Sequence, residues 1–391
     1  MVRGSQKSIG FESHVINPGE NLTLNHPPEP KKSVSNRGRL WQLEALRGFA
    51  AFYVVLHHTS SNYLHLKNTI WGFPFRFGLE AVLTFFILSG FVICYSHHHA
   101  DGGCDSFKTY FIKRTRRIYP LFILSLVLAQ AIASVSARGW APVDFRQLFG
   151  NLFMLQNLPS QPGLFCLPFG DNMPLWSLSF EWWFYLLFFP INRWVPRATQ
   201  KFLVLGLAMI GLLVNQFHPN VACWFLIFFI IWWTGAELAH EFRRTGDVTL
   251  AGQKSMLLLI GVPLAWFAVI SWNWHRDGRG LPFNAYPFFD FRYFLMTPLF
   301  IGLLIAWRQI RFAGFNQTLG HFERLGAISF GLYVFHYPIL CDLRLLGSER
   351  LYYVDLVLRI GLAFLLAWLA EGVLQKRINH WTNPWLRANK S

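Results

Sequence analysis

The chain has 391 residues, of which 53% are hydrophobic and only 14% charged, and a net charge of +15. So many long apolar runs would need far more polar surface than this composition supplies, which excludes an ordinary soluble domain and implies an integral membrane protein. The five cysteines, Cys94, Cys104, Cys166, Cys223 and Cys341, are odd in number and lack ligand spacing, so neither a disulfide framework nor a metal site is expected.

In chain order, residues 1–40, rich in Asn, Ser, Pro and Lys, read as a disordered cytoplasmic tail without the apolar core of a signal peptide. A helix of roughly 17 to 25 apolar residues spans the hydrocarbon. Ten segments qualify: 45–61, 79–96, 118–137, 175–190, 201–217, 222–238, 255–272, 291–307, 325–344 and 352–374. They form one membrane domain over 41–380, followed by a cytoplasmic tail at 381–391. The fold class expected is an all-α polytopic membrane protein of about ten transmembrane helices, with both termini cytoplasmic. On that topology 24 Lys and Arg lie on the cytoplasmic side and 8 on the other, leaving Arg47, Arg292 and Arg359 inside helices. This positive-inside bias accounts for the charge without a nucleic-acid partner.

The first helix, EALRGFAAFYVVLHH at 44–58, carries Arg47, His57 and His58 in a segment otherwise fit for lipid. Arg47 and His58 are eleven residues apart, roughly 16 Å along the axis with an angular offset of about 20°, so they share a face. Arg47 belongs at the cytoplasmic edge, and His58 roughly 20 Å in, beyond the middle of the bilayer. Ionisable groups at such depth usually face a cavity or a partner; the alternative is an arginine reaching for lipid phosphates and histidines that bond neighbouring helices.

At the start of the third segment, Arg114 and Arg117 in FIKRTRRIYP are i and i+3 neighbours, a double fork for phosphates at the membrane level of Arg47. In WSLSFEWWFYLLFFP at 176–190, Glu181 lies roughly 9 Å below the outer boundary, a depth that matches His58 and permits a Glu–His pair suited to general-base work. The run FLIFFIIWW at 225–233 reads as lipid-facing bulk. The outer stretch 273–294 mixes aromatics with His275, Arg276, Asp277, Arg279, Asp290 and Arg292, suited to sugar rings and hydroxyls or, alternatively, to an interfacial aromatic belt. His336, in ISFGLYVFHYP, lies about 16 Å from the inner side and reads equally well as a site group or as a bond between helices.

Five pieces carry a resemblance: the Arg47 to His58 spacing; TFFILSGFVI at 84–93; Arg114 and Arg117 followed by IYP; WSLSFEWWFYLLFFP at 176–190; and ISFGLYVFHYP at 328–338. In that order, over roughly 41–375, the chain resembles the acyltransferase 3 family of membrane-bound O-acyltransferases. The resemblance implies a ten-helix core that takes an acyl group, usually acetyl, from acyl-coenzyme A in the cytoplasm and attaches it to a sugar hydroxyl, commonly in an exported glycan or glycolipid. It also implies the cytoplasmic (inner) membrane of a bacterium. Family members often carry an acidic residue just ahead of the Phe85–Phe86 pair, where this chain has Leu83; its nearest acid, Glu80, is assigned instead to acceptor contact.

The roles expected are therefore phosphate binding by Arg47, Arg114 and Arg117, general-base action by His58, orientation of His58 by Glu181, and acceptor contacts from Glu80, Asp290, Arg292 and His336, with no metal. Without a nucleophile elbow, direct transfer is favoured over an acyl-enzyme. The competing class is a transporter of an organic anion or lipid-linked sugar, which would more typically show broken helices in two similar halves.

Overall fold

The computed structural model describes residues 37–66, 69–98, 103–346 and 349–387. Among them all regular structure is helical, apart from two isolated bridges, His98 with Cys104 and Gln156 with Cys166. Of the tail expected at 1–40, residues 1–36 lie outside the described residues, and 37–40 open the first helix. The elements are α1 (Arg37–His58), α2 (Gly78–His97), α3 (Phe107–Ser136), α4 (Phe145–Leu152), α5 (Trp176–Trp194), α6 (Arg197–Phe217), α7 (Val221–Thr245), α8 (Leu250–Arg276), α9 (Phe288–Gln309), α10 (Glu323–Gly326), α11 (Ser329–Tyr337), α12 (Tyr352–Leu369) and α13 (Gln375–Arg387).

Seven helices among the described residues are long and apolar enough to cross a membrane; they contain α2, α3, α6, α7, α8, α9 and α12. A bent pair, Leu319–Gly326 and Ser329–Asp342, meets at 80° and has the form of either a broken eighth span or a re-entrant loop. The chain is thus a multi-pass membrane protein. Every one of the ten segments named from the sequence coincides with helix, but α1 and α5 are not among the seven. Their polar groups, Arg47, His57 and His58 in one and Glu181 in the other, lower their apolarity, and both helices contribute to the candidate site. At the far end, α13 carries helix through 381–387, where a tail was expected, and Arg116 of α3 holds it by donating to Thr382 Oγ1 at 3.1 Å and Asn383 Oδ1 at 3.0 Å.

The centre of the bundle is α7. Phe228, Phe229, Ile230, Ile231, Trp232 and Trp233 are all fully buried, so the run 225–233 is core, not lipid-facing bulk. A helix that is apolar all round fits either place, and its packing partners decide which. The decisive partner is α2, which meets α7 through glycine: a Cβ on Gly90 would stand 2.1 Å from the Trp232 carbonyl, and one on Gly235 2.0 Å from that of Ile87. Small residues at a crossing let two membrane helices approach closely. Gly235→Val is accordingly expected to destabilise the bundle by more than the ~1–3 kcal/mol usual for overpacking, because it meets backbone rather than a yielding side chain. A melting temperature in detergent equal to wild type would refute the close crossing.

Candidate active site

Five helices, α1, α2, α3, α5 and α11, line two cavities that share one residue, Tyr333. The larger, about 140 Å³, is lined by Arg47 of α1, Phe85, Ser89 and Val92 of α2, Arg114 and Arg117 of α3, Ser177, Glu181 and Tyr185 of α5, and Phe330 and Tyr333 of α11. The smaller, about 80 Å³, is lined by Val54, His57 and His58 of α1, Leu79 and Val82 of α2, Pro174 and Trp176 at the start of α5, and again Tyr333. Along α1 the lining moves two to three turns, from Arg47 to Val54, His57 and His58, and along α2 and α5 it moves from later residues to earlier ones, with Tyr333 lining both cavities.

Tyr333 stands at the junction. Its hydroxyl donates to the Pro174 carbonyl at 2.8 Å and meets Ser177 Oγ at 2.6 Å, while its ring abuts Phe85 with centroids 5.7 Å apart. Tyr333 and Ser177 were not singled out from the sequence, although each is a hydroxyl inside an apolar motif, which was the available signal.

All three arginines line the larger cavity, with different partners. Arg47 pairs with Glu44 at 3.0 Å, and Arg117 with the buried Glu371 at 2.6 Å. Glu371 also accepts the Gly331 N–H at 3.3 Å, tying α3 to α11. Arg114 makes no ion pair with a described residue, and its Nε has no hydrogen-bond partner; its guanidinium lies over the Tyr110 and Tyr185 rings at 5.4 and 5.8 Å. Such stacking holds a guanidinium without neutralising it. With Arg47 and Arg117 each paired to a carboxylate, Arg114 is the lining guanidinium without an ion pair to a described residue.

Glu181 does not pair with His58. It accepts from Ser89 Oγ at 2.8 Å and from the Tyr185 hydroxyl, one turn along its own helix, and Trp232 Nε1 donates to the same Ser89 at 3.2 Å. Matched depth fixed only one coordinate; the rotation of α5 turns Glu181 toward α2 and the arginine cavity, where two hydroxyls satisfy it.

His58 instead meets other rings: His57 at 4.9 Å, Tyr337 at 4.9 Å and His336 at 5.3 Å between centroids. His336 is fully buried, with Nδ1 against the Tyr333 and Leu332 carbonyls at 2.8 and 3.0 Å. Nδ1 is therefore the donor and Nε2, which has no partner among the described residues, the acceptor. His57 turns the other way, donating from Nδ1 to the Phe75 carbonyl at 2.6 Å and packing so closely on Gly78 that a Cβ there would be 2.5 Å from its ring.

The acceptor-contact expectations fare differently. Glu80 and Arg292 are both about 5% exposed and form an ion pair with each other, and Arg292 also donates to the Phe283 carbonyl at 2.6 Å and lies over the Phe283 ring. Asp290, fully buried, accepts from Gln161 Nε2 at 2.8 Å. Desolvation makes such groups seek partners inside the fold, so these three tie α9 to its neighbours and none lines either cavity. Among the described residues no group of three His, Cys, Asp or Glu side chains is placed to hold a metal ion.

The family resemblance carried by the sequence motifs agrees with the comparison to known proteins. Residues 40–372 match the acyltransferase domain that defines the acyltransferase 3 family. The chain belongs to this family. Among curated relatives, it is 26% identical over 381 aligned residues to the acyltransferase MdmB of Streptomyces mycarofaciens, covering 89% of this chain and 92% of that protein. It is 24% identical over 344 residues to nodulation protein 10 of Rhizobium leguminosarum bv. viciae, covering 83% and 89%. No solved structure matches the chain.

Proposed function

We propose that this acyltransferase moves an acyl group, acetyl in the first instance, from acyl-coenzyme A to a hydroxyl of a sugar in an exported or cell-surface glycan. The observation that carries the reading is the pair of cavities, arginines in one and His58 in the other, that share Tyr333 as lining. Arg47, Arg114 and Arg117 bind the coenzyme A phosphates, and the pantetheine arm runs past Glu181 and Tyr333 toward His58. One imidazole nitrogen of His58 takes the acceptor hydroxyl proton as the oxygen attacks the thioester carbon. The C–S bond breaks, the acyl group stays on the acceptor oxygen, and the imidazolium returns its proton to the coenzyme A thiolate. Glu181, within the arginine cavity, positions the arm and balances local charge rather than touching His58.

The experiment is to give purified protein radiolabelled acetyl-coenzyme A and follow both coenzyme A release and label transfer to sugar acceptors. A protein that binds no coenzyme A at all would sink the reading and favour transport of an organic anion instead.

The same reading includes ten spans with both termini in the cytoplasm of a bacterial inner membrane, supported by the charge bias. Cys104 is exposed between α2 and α3, whereas Cys94, Cys166 and Cys223 are buried. On this topology a membrane-impermeant maleimide labels Cys104 in inside-out vesicles and not in intact cells. Labelling from outside would invert the orientation and put the arginine cavity on the wrong side for cytoplasmic coenzyme A.

A further inference from the structure

His58 and His336 end two different helices, and neither helix stops where its histidine does. After His58 the chain continues as a π-helical turn, Thr59–Tyr63, and after Tyr337, the residue that follows His336, as another, Pro338–Asp342. The wider π turn disrupts the regular ladder and often occurs at functional sites. The two turns touch, with Asn62 Nδ2 donating to Cys341 Sγ at 3.3 Å.

Both turns are gripped by one ion pair on α12. Asp355 and Arg359 lie 2.5 Å apart with side chains 4% and 5% exposed. Arg359 donates to the Leu340 carbonyl at 2.9 Å and to that of Leu343, at the end of the second turn, and also to the Tyr63 hydroxyl, at the end of the first. Asp355 accepts from the same Tyr63 hydroxyl at 3.1 Å and from the Leu345 and Leu346 N–H groups at 2.9 and 2.8 Å. Neither charge lines either cavity. Two ionised groups in an apolar helix are costly to bury, and an apolar pair of similar volume would serve packing alone. What an apolar pair would not do is hold main-chain carbonyls and a tyrosine hydroxyl from two separate irregular turns in fixed register.

We propose that Asp355, Arg359 and Tyr63 are the positioning residues of the histidine site: they clamp the two π-helical turns and so set the placement of His58 relative to His336. The inference rests on His58 being the base. None of the three touches substrate; they act through the turns that terminate α1 and α11.

Tyr63→Phe is the mildest test, since it removes only the hydroxyl shared by both charges. With Arg359→Lys as companion, kcat for acyl transfer, its pH profile, coenzyme A affinity, melting temperature and the ring ¹⁵N signals of labelled histidines are compared with wild type. Displacement of a catalytic group by about 1 Å costs up to about 100-fold, so a 10- to 100-fold fall in kcat is expected for Tyr63→Phe. Coenzyme A affinity and melting temperature stay at wild-type values while the pH profile and the His58 and His336 signals shift; Arg359→Lys restores neither the fork nor the rate. Wild-type kcat, pH profile and histidine signals in both variants would overturn the proposal, as would a loss of activity that only tracks loss of folded protein. If wild type itself shows no turnover, the acyl-transfer reading fails, and the histidine signals still report whether the clamp sets the rings.

Discussion

Replacing His58 with alanine is expected to lower acyl transfer by about 10²- to 10⁴-fold, the usual worth of a positioned general base, while leaving coenzyme A binding intact. The separation follows from geometry: His58 lines the smaller cavity and the arginines line the larger. His57 is the internal control, because its Nδ1 is committed to the Phe75 carbonyl and its ring to Gly78. His57→Gln, which keeps a donor, therefore retains turnover, whereas His57→Ala loses stability before it loses chemistry. Parallel measurement of coenzyme A release, label transfer and coenzyme A affinity decides the matter. If His58→Ala transfers like wild type, the direct-base mechanism fails and an acyl-enzyme route through another side chain takes its place.

Helical periodicity carries information about one helix at a time, and this explains what the sequence did and did not make legible. The eleven-residue spacing from Arg47 to His58 and the i, i+3 pair Arg114 and Arg117 each describe a single helix, and the structure sets the three arginines in one cavity and His58 in another that shares Tyr333. The partner of Glu181 depended on how α5 is rotated against α2, which depth alone does not encode. Glu80 and Arg292, 212 residues apart, satisfy each other across α2 and α9, and nothing local to either announces the pair. The same limit hid the core role of α7, whose all-round apolar surface suits lipid and protein alike. Arg359 was visible only as a charge inside a helix; the chemistry around it lies in two π-helical turns with no composition signal of their own.

Of the three arginines, Arg114 is expected to matter most for donor affinity. Arg47 and Arg117 already face Glu44 and Glu371, so a bound phosphate must share each with a carboxylate, whereas Arg114 has no acidic partner among the described residues and is held by two tyrosine rings. A hydrogen bond to a charged group contributes about 1.5–3 kcal/mol, so Arg114→Ala should weaken coenzyme A binding by about 10- to 100-fold with little change in melting temperature. Arg117→Ala behaves differently, because it strands the buried Glu371 without its cation, a loss of about 3–5 kcal/mol for a broken buried pair. Its binding defect therefore comes with a lower melting temperature, and Glu371→Gln in the same chain relieves the second effect without repairing the first. Calorimetry at two salt concentrations separates these cases, since phosphate contacts weaken with ionic strength. An Arg114→Ala protein that binds coenzyme A as tightly as wild type would move the phosphates out of this cavity, and with them the path that leads the thioester past Tyr333 to His58.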